Sequence, residues 1–267
     1  MNFQIQKIFL SFYLIFSLCF QTKGQHNFAG TDVNATGINL FQNNAWSVLN
    51  GASFIPDTNI QIAISTKNYY QISTLSQHSI AIQFSKNNKI KLGTGIDYFN
   101  SPAINSSRFV IAGVHKIGIF KLGSSIERLQ YFVNEYDTEG KWVMSLSGNA
   151  QFNNKTSVAL QVNDLFPSSN LKLNQSILLC LGLKYEAFKN LTLLSQLNGY
   201  QNEQITLNFA TIWKTNKHFN LKFGTNNQLQ QYNAGFDLIH KKFCVQYALQ
   251  WLPTLGYNNN IGLLYQL

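Results

Sequence analysis

The chain has 267 residues, of which 12% are charged and 14% aromatic, and its formal net charge is +9. A soluble globular domain carries about twice that charged fraction, so the composition argues against an ordinary soluble domain. The basic side chains are scattered over predicted strand ends and turns instead of lying along one element, which argues against nucleic-acid binding.

The first 24 residues have the features of a secretory signal peptide. Lys7 supplies a positive charge, residues 8–20 are apolar, and residues 22–24 form the predicted cleavage region. We therefore predict that residues 1–24 are a signal peptide. An N-terminal membrane anchor is one alternative, although a spanning helix needs roughly 20 apolar residues. Lipid attachment at Cys19 is another, although the preceding Leu18 is larger than a lipobox prefers.

Residues 25–58 follow, and they do not alternate as strands do. From residue 59 to the end, apolar and polar residues alternate with a period of two, in segments separated by Asn, Gly, Lys and Ser. No stretch after residue 24 has 18 consecutive apolar residues, so no spanning helix is predicted there. A membrane location would then require a closed barrel, because only helices and closed sheets satisfy every backbone group in hydrocarbon.

The alternation predicts fourteen strands, with twelve as the alternative because residues 116–118 are a weak turn signal. Even strand numbers are usual in such barrels. Longer interruptions at 69–77, 100–107, 132–140 and 166–173 are predicted to be loops. The predicted strands are 59–67, 79–85, 89–99, 108–115, 118–128, 141–152, 155–163, 175–186, 190–198, 204–213, 217–226, 230–240, 242–251 and 259–267.

This pattern predicts an all-β fold, a single transmembrane antiparallel up-and-down β-barrel spanning 59–267. A secreted β-sandwich with its own core would also alternate with a period of two, and it is the soluble alternative. Aromatic residues near strand ends favour the membrane barrel, because interfacial girdles need them there. These residues are Tyr69, Tyr70, Tyr98, Phe99, Trp142, Trp213 and Trp251.

Titratable and sulfur-bearing residues give little indication of catalysis. The histidines 78, 115, 218 and 240 lie in different strands or turns and outside any nucleophile motif, so no enzymatic activity is predicted. Cys180 and Cys244 are predicted to face the membrane unpaired, with a disulfide as the alternative. No Cys/His spacing fits zinc, so no metal or cofactor is predicted. Glu127, Arg128, Asp97 and Asp237 are candidates for hydrogen-bond networks in the lumen.

The segment from Gly37 to Ser53 contains Ala45-Trp46 and Asn50-Gly51-Ala52, and residues 255–267 are the final stretch of the sequence. These features resemble FadL-type outer-membrane barrels, and more closely the PorV-like and PorQ-like barrels of Bacteroidetes. Gly51 stands where those barrels have proline, and Leu267 where they have an aromatic residue.

The resemblance implies that residues 25–58 form an N-terminal plug in the lumen of a barrel in the cell outer membrane. It also implies transport of a hydrophobic small molecule or an accessory role in type IX protein secretion. The alternative is a structural or protein-binding barrel with a sealed lumen. Predicted partners are outer-membrane lipid, lipopolysaccharide, and type IX components or exported proteins. The residues predicted to contact plug or lumen groups are Leu40, Phe41, Asn43, Asn44, Trp46 and Asn50.

Overall fold

The computed structural model describes residues 29–56, 60–85, 89–133, 138–165, 177–200, 205–227 and 230–267. The predicted signal peptide, residues 1–24, lies outside these ranges. Among the residues inside them, no helix is long and apolar enough to cross a membrane. Within these ranges, three short helical segments precede the strands: α1 (Thr31–Thr36), α2 (Ser47–Asn50) and a 3₁₀ helix (Ala52–Phe54).

Fourteen strands follow within the described ranges, and they close into one antiparallel barrel. Each strand pairs with its neighbours in the chain, and the first pairs with the last. The strands are β1 Ile60–Asn68, β2 Ser76–Ser85, β3 Ile90–Asn100, β4 Ile104–Ile117, β5 Phe120–Val133, β6 Glu139–Gln151, β7 Thr156–Asn163, β8 Leu178–Phe188, β9 Leu191–Tyr200, β10 Thr206–Asn216, β11 Phe219–Asn226, β12 Gln231–His240, β13 Phe243–Leu252 and β14 Gly256–Gln266. The predicted fold class and the strand number of fourteen are confirmed.

The hairpin between β4 and β5 decided between twelve and fourteen strands. Gly118 adopts φ +59°, a left-handed conformation that glycine reaches without steric cost, and it begins a two-residue turn. The hairpin is also longer than predicted, because residues 105–107 belong to β4 and not to the predicted loop at 100–107. Their backbone pairs with residues 130–132 of β5, so a polar sequence that reads as a loop continues the ladder beyond the apolar part of the wall.

The two ends of the barrel differ. At one end, the strands are joined by turns of four residues or fewer, such as 118–119, 189–190 and 217–218. At the other end the connections are mostly longer and include 69–75, and the predicted loop at 166–173 lies outside the described residues. Asparagine makes two of the short turns: the Asn153 side-chain oxygen accepts from Lys155 N and Thr156 N, both at 2.8 Å, and Asn216 accepts from His218 N at 2.8 Å. Outer-membrane-type barrels place such short turns on the periplasmic side.

The outward-facing side chains form an apolar belt around the middle of the barrel. Most strands expose one or more large aliphatic side chains there, and these include Ile64, Ile80, Ile96, Ile111, Ile126, Leu160, Leu181, Leu197, Leu238 and Ile261. The alternate positions point into the lumen and are buried. Burying a belt of this kind against hydrocarbon is favourable, whereas leaving it in water is not. The barrel is therefore a membrane-spanning one and not a soluble sandwich.

Aromatic side chains flank the belt at both ends. Tyr98, Trp142, Tyr232, Trp251 and Tyr257 are exposed at the long-loop end, and Phe120, Tyr185, Phe188, Trp213 and Phe243 at the short-turn end. These positions fit the interfacial girdles of a transmembrane barrel. Tyr69 was predicted to belong to a girdle, but it does not. It turns into the lumen, where its hydroxyl donates to Gln77 Oε1 at 2.6 Å.

Candidate functional site

Residues 29–56 lie inside the barrel and are named the plug. All of them are buried except Gly37 and Phe41, which are half-buried, and Asn43, which is exposed. Helix α1 packs against β11, β12 and β13, α2 against β3 and β4, and the 3₁₀ helix against β5. Helix α1 ends at Gly37, whose left-handed backbone (φ 70°) lets its N–H donate to Val33 O at 2.6 Å.

Glycines on the lumen side of the strands leave space for the atoms of the plug. A Cβ added at Gly224 would fall on the Thr36 carbonyl oxygen, and one at Gly123 would fall on the Ser53 backbone nitrogen. Both obstacles are backbone atoms, which cannot rotate away. Five other wall glycines lie as close to side chains of the plug, and these are Gly93, Gly95, Gly182, Gly235 and Gly262. Glycine weakens a strand, so its presence at lumen positions indicates close backbone approach.

A buried ionic cluster, named the Asp32 cluster, fixes α1 to the wall. Its members are Asp32 of the plug, Lys222 of β11, Asp237 of β12 and Gln246 of β13. Lys222 pairs with both carboxylates, and Gln246 Nε2 donates to Asp32 Oδ1 at 2.8 Å. Trp46, fully buried, donates its indole N–H to Gln246 Oε1 at 3.0 Å. Because all four side chains of the cluster are buried, Lys222 is the cation that stabilises two desolvated carboxylates.

Amides of the wall satisfy plug backbone groups that have no helical partner. Gln61 Oε1 accepts from Ala45 N at 2.6 Å, and Gln196 Oε1 accepts from Leu40 N at 3.1 Å. Gln161 Nε2 donates to Asn50 O at 2.6 Å. Buried backbone groups need such partners. These contacts were missed from the sequence, although glutamines at lumen parity opposite an irregular segment were the available signal.

Two apolar clusters complete the plug contacts. One joins α2 to the wall of β1, β2, β4 and β14, and it contains Trp46, Val48 and Leu49. The second, named the β8–β10 seam, joins plug residues Ile38, Leu40 and Phe54 to Leu178, Cys180, Leu194 and Ala210. Phe41 and Ile212 pack against it. Leu178 begins β8 at the long-loop end, whereas Phe41 and Phe54 reach the short-turn end. The seam therefore follows the plug from one side of the barrel to the other.

A second ionic group lies in the lumen near the long-loop end. Arg108 lies between Asp97 and Glu127, at 3.8 and 3.7 Å, and Gln77 Nε2 donates to both Asp97 oxygens. Asp97, Glu127 and Asp237 thus lie in lumen networks, as predicted. Arg128 does not. It points outward over the Trp142 ring at 5.4 Å, because its neighbours in the pleat put it on the membrane side. Arg108 takes the role in the lumen network that was predicted for Arg128.

The six predicted contact residues separate into three groups. Leu40 and Trp46 are fully buried against the wall, Leu40 beside Gly182. Asn44 and Asn50 bond mainly within the plug, Asn44 to Asp32 and to Trp46 N, and Asn50 to both backbone groups of Ala29. Phe41, with φ 64°, contacts Phe54 edge-on at a centroid distance of 5.4 Å. Phe41 and the exposed Asn43 line a cavity.

That cavity, named the vestibule, opens at the short-turn end and has a volume of about 590 Å³. It lies between the plug and the ends of β4 to β8. Four lysines, one glutamate and several amides line it together with Phe41, Phe54 and Phe152. The volume is that of an ordinary small-molecule site.

The cysteine prediction was wrong in one respect. Cys180 and Cys244 are unpaired, but both lie on the lumen side of the wall. Cys180 is fully buried against the seam, and Cys244 packs against the α2 cluster. The physical reason is that successive side chains of a strand point to opposite faces. Leu179 and Leu181 face the membrane, so the residue between them must face inward.

No known protein family profile matches the sequence, and no curated protein matches it. Solved structures do match the fold. A FadL homologue of Pseudomonas aeruginosa aligns with a TM-score of 0.64 and 9% identity, covering 92% of this chain and 100% of that one. A deletion mutant of TodX, a monoaromatic hydrocarbon channel, aligns at 0.66 with 10% identity, covering 89% of this chain and 98% of that one.

The barrel, its apolar belt and its aromatic girdles define an outer-membrane-type β-barrel. Within that class the chain has the FadL-type fold, as the two alignments show.

Proposed function

We propose that this protein resides in the outer membrane and lets a hydrophobic small molecule pass along the β8–β10 seam when the plug shifts. The observation that carries the proposal is the seam itself. The Asp32 cluster holds the plug to β11–β13 through buried ions, whereas along β8–β10 the plug meets the wall through apolar side chains and a few neutral amides, such as Gln196 to Leu40 N and Asn208 to Gly37 O. Apolar contacts can be exchanged for contacts with an apolar solute at little cost. The description of TodX as a hydrocarbon channel supports the same class of solute.

A polar substitution in the seam tests this proposal. Leu194 is 4% exposed and lies in the seam, whereas Leu193 is 37% exposed and faces outward on the same strand. We expect Leu194→Gln to lower uptake of radiolabelled toluene by cells expressing the protein by about tenfold, because burying an unpaired amide costs about 1–3 kcal/mol. Leu193→Gln, the same change on the opposite face, is expected to leave uptake within about twofold of the original protein.

The measurement is the initial uptake rate in a host that lacks its own channel of this kind. Lipopolysaccharide keeps the background low in such cells. Uptake no higher than in the empty host would contradict the proposal, and so would equal rates in the two variants with both barrels shown to be folded by heat-modifiable gel mobility.

A second candidate is an accessory role in type IX secretion, or protein binding by a sealed barrel. The observation that favours it is the burial of all but three of the plug residues, which is what a sealed lumen requires. Cross-linking in mild detergent would then capture type IX components or exported proteins on the long-loop end. A protein of this kind would not raise toluene uptake, so the two candidates predict opposite results in the same cells. The prediction that the chain is not an enzyme stays a prediction.

A further inference from the structure

The short-turn end of the barrel carries a set of exposed lysines, named the lysine rim. Four of the five short turns whose residues are all described contain lysine, and the fifth, 118–119, does not. The members of the rim are Lys155, Lys189, Lys217, Lys241 and Lys242. All five are exposed, and none of their side chains forms an ion pair or a hydrogen bond with another described residue. Their charge is therefore available to a partner outside the chain.

The described connections at the opposite end have no counterpart to the rim. The connections 69–75, 101–103 and 253–255 lie there, and they contain no charged residue. The lysines of the described turns are thus concentrated at the end that outer-membrane-type barrels place on the periplasmic side. A partner of the rim is therefore an anion within reach of the periplasmic face of the membrane.

Aromatic rings lie directly beside lysines of the rim. Phe188 immediately precedes Lys189, Phe243 immediately follows Lys242, and both rings are exposed in the girdle at the short-turn end. Girdle residues lie at the level of the lipid headgroups. The adjoining lysines are therefore held near the phosphate layer, where the aliphatic stem can lie along apolar surface while the ammonium reaches a phosphate. This depth favours a lipid headgroup over a partner in the periplasmic water.

The spacing of the lysines also bears on the kind of anion. Successive short turns are two strands apart, and neighbouring strands lie about 4.8 Å apart, so the turns follow at intervals of about 10 Å. The three turns that carry Lys189, Lys217 and Lys242 then span about 20 Å. One small anion cannot contact all three turns, whereas a layer of separate headgroups can.

We propose that the lysine rim binds the headgroups of anionic phospholipids in the periplasmic leaflet, with phosphatidylglycerol as the representative lipid. A lysine near an anionic membrane surface contributes a roughly fivefold preference for that surface. The rim does not include the β8–β10 seam, so its test is independent of solute transport.

Trp213 reports on the lipid beside the rim. It pairs with Leu191 of β9 and Leu221 of β11, so it lies between the turns of Lys189 and Lys217. The experiment uses the full chain with Trp213 as its one tryptophan, in phosphatidylcholine bilayers with equal mole fractions of brominated phosphatidylglycerol or brominated phosphatidylcholine. We expect the quenching to show that phosphatidylglycerol associates at least about threefold more strongly than phosphatidylcholine.

Lys189→Gln with Lys217→Gln is expected to remove most of this preference. Lys189→Arg with Lys217→Arg is the matched control, because it changes the same positions, keeps both charges and should keep the preference. Trp251, studied as the one tryptophan in a second protein, lies in the girdle at the long-loop end. It should show no preference, since the connection 253–255 beside it carries no charge.

Equal association of the two brominated lipids at Trp213 would overturn the proposal, and it is the result expected if the rim instead met an acidic periplasmic protein. A preference that the glutamine substitutions leave unchanged, or one that Trp251 shares, would also overturn it, because the rim lysines would not be its cause.

Discussion

Replacing Lys222 with methionine is expected to release the plug and to expose Cys180 to thiol reagents. Lys222 is the cation of the Asp32 cluster, and its loss leaves the carboxylates of Asp32 and Asp237 buried together. Breaking a buried pair by removing one partner costs about 3–5 kcal/mol, which corresponds to a hundredfold or larger change in an equilibrium. The plug can relieve that cost by leaving the lumen, because water then solvates Asp32.

Cys180 is the reporter because it is fully buried behind Ile38 and Leu40 of the plug. The measurement is its labelling rate with a membrane-impermeant maleimide, in a Cys19→Ala, Cys244→Ala background that leaves Cys180 as the one thiol. We expect a rate about a hundredfold above that of the unaltered plug. Adding Asp32→Asn should restore much of the protection, because Gln246 and Asn220 still contact the remaining carboxylate of Asp237.

Lys184→Met is the control for the loss of one lysine. The pair of Lys184 and Glu186 is about one-third exposed, so solvent screens it and its removal should hardly change labelling. Equal labelling of the Lys222 and Lys184 variants, with both barrels folded, would show that the Asp32 cluster does not hold the plug.

Replacing Gly224 with valine is expected to open the barrel to ions. The new Cβ would meet the Thr36 carbonyl, and neither the strand nor the plug backbone can move aside without losing its hydrogen bonds. Overpacking of this kind costs about 1–3 kcal/mol or more, and valine itself favours the strand, so the plug and not the barrel should yield. Discrete conductance steps in planar bilayers are then expected at a higher frequency than in the unaltered protein.

The matched control is Gly148→Val on β6. A Cβ there meets only Leu122 Cδ2, at an ordinary 3.7 Å on the membrane side, so the change adds a strand-favouring side chain without touching the plug. It should leave conductance unchanged. A Gly224→Val barrel that folds and stays closed would mean that Thr36 does not lie against β11.

The strands were predictable because one face of each strand meets hydrocarbon and the other meets the lumen, and side chains report that difference every second residue. The same rule explains why Ile96, Ile111 and Ile126 lie on the outer face. Applied strictly, it also puts Cys180 inside, between Leu179 and Leu181, so that error came from weighing the apolar character of cysteine above its parity. Residues 105–107 were harder, since polar side chains that pair above the belt do not differ in sequence from a loop.

The plug contacts were less predictable, because its backbone is irregular and its partners come from the whole barrel. Trp46 was singled out, but Gln246, its hydrogen-bond acceptor, lies 200 residues away in the chain. Nothing local in the sequence links them. The glycines were the available sequence signal for the plug. Gly224 and Gly235 lie at lumen positions of two strands, where a side chain would otherwise add strand stability. Their parity indicates that something approaches the wall closely, without indicating what.

The central claim is that side chains of one parity face acyl chains while the plug fills the space enclosed by the other parity. The four tryptophans test it in one measurement, since Trp142, Trp213 and Trp251 lie in the girdles and Trp46 is fully buried in the plug. Single-tryptophan proteins would be reconstituted in bilayers with brominated acyl chains, and fluorescence quenching would be recorded. We predict strong quenching of the three girdle tryptophans and none of Trp46. Quenching of Trp46 as strong as theirs, or no quenching of the other three, would contradict the account.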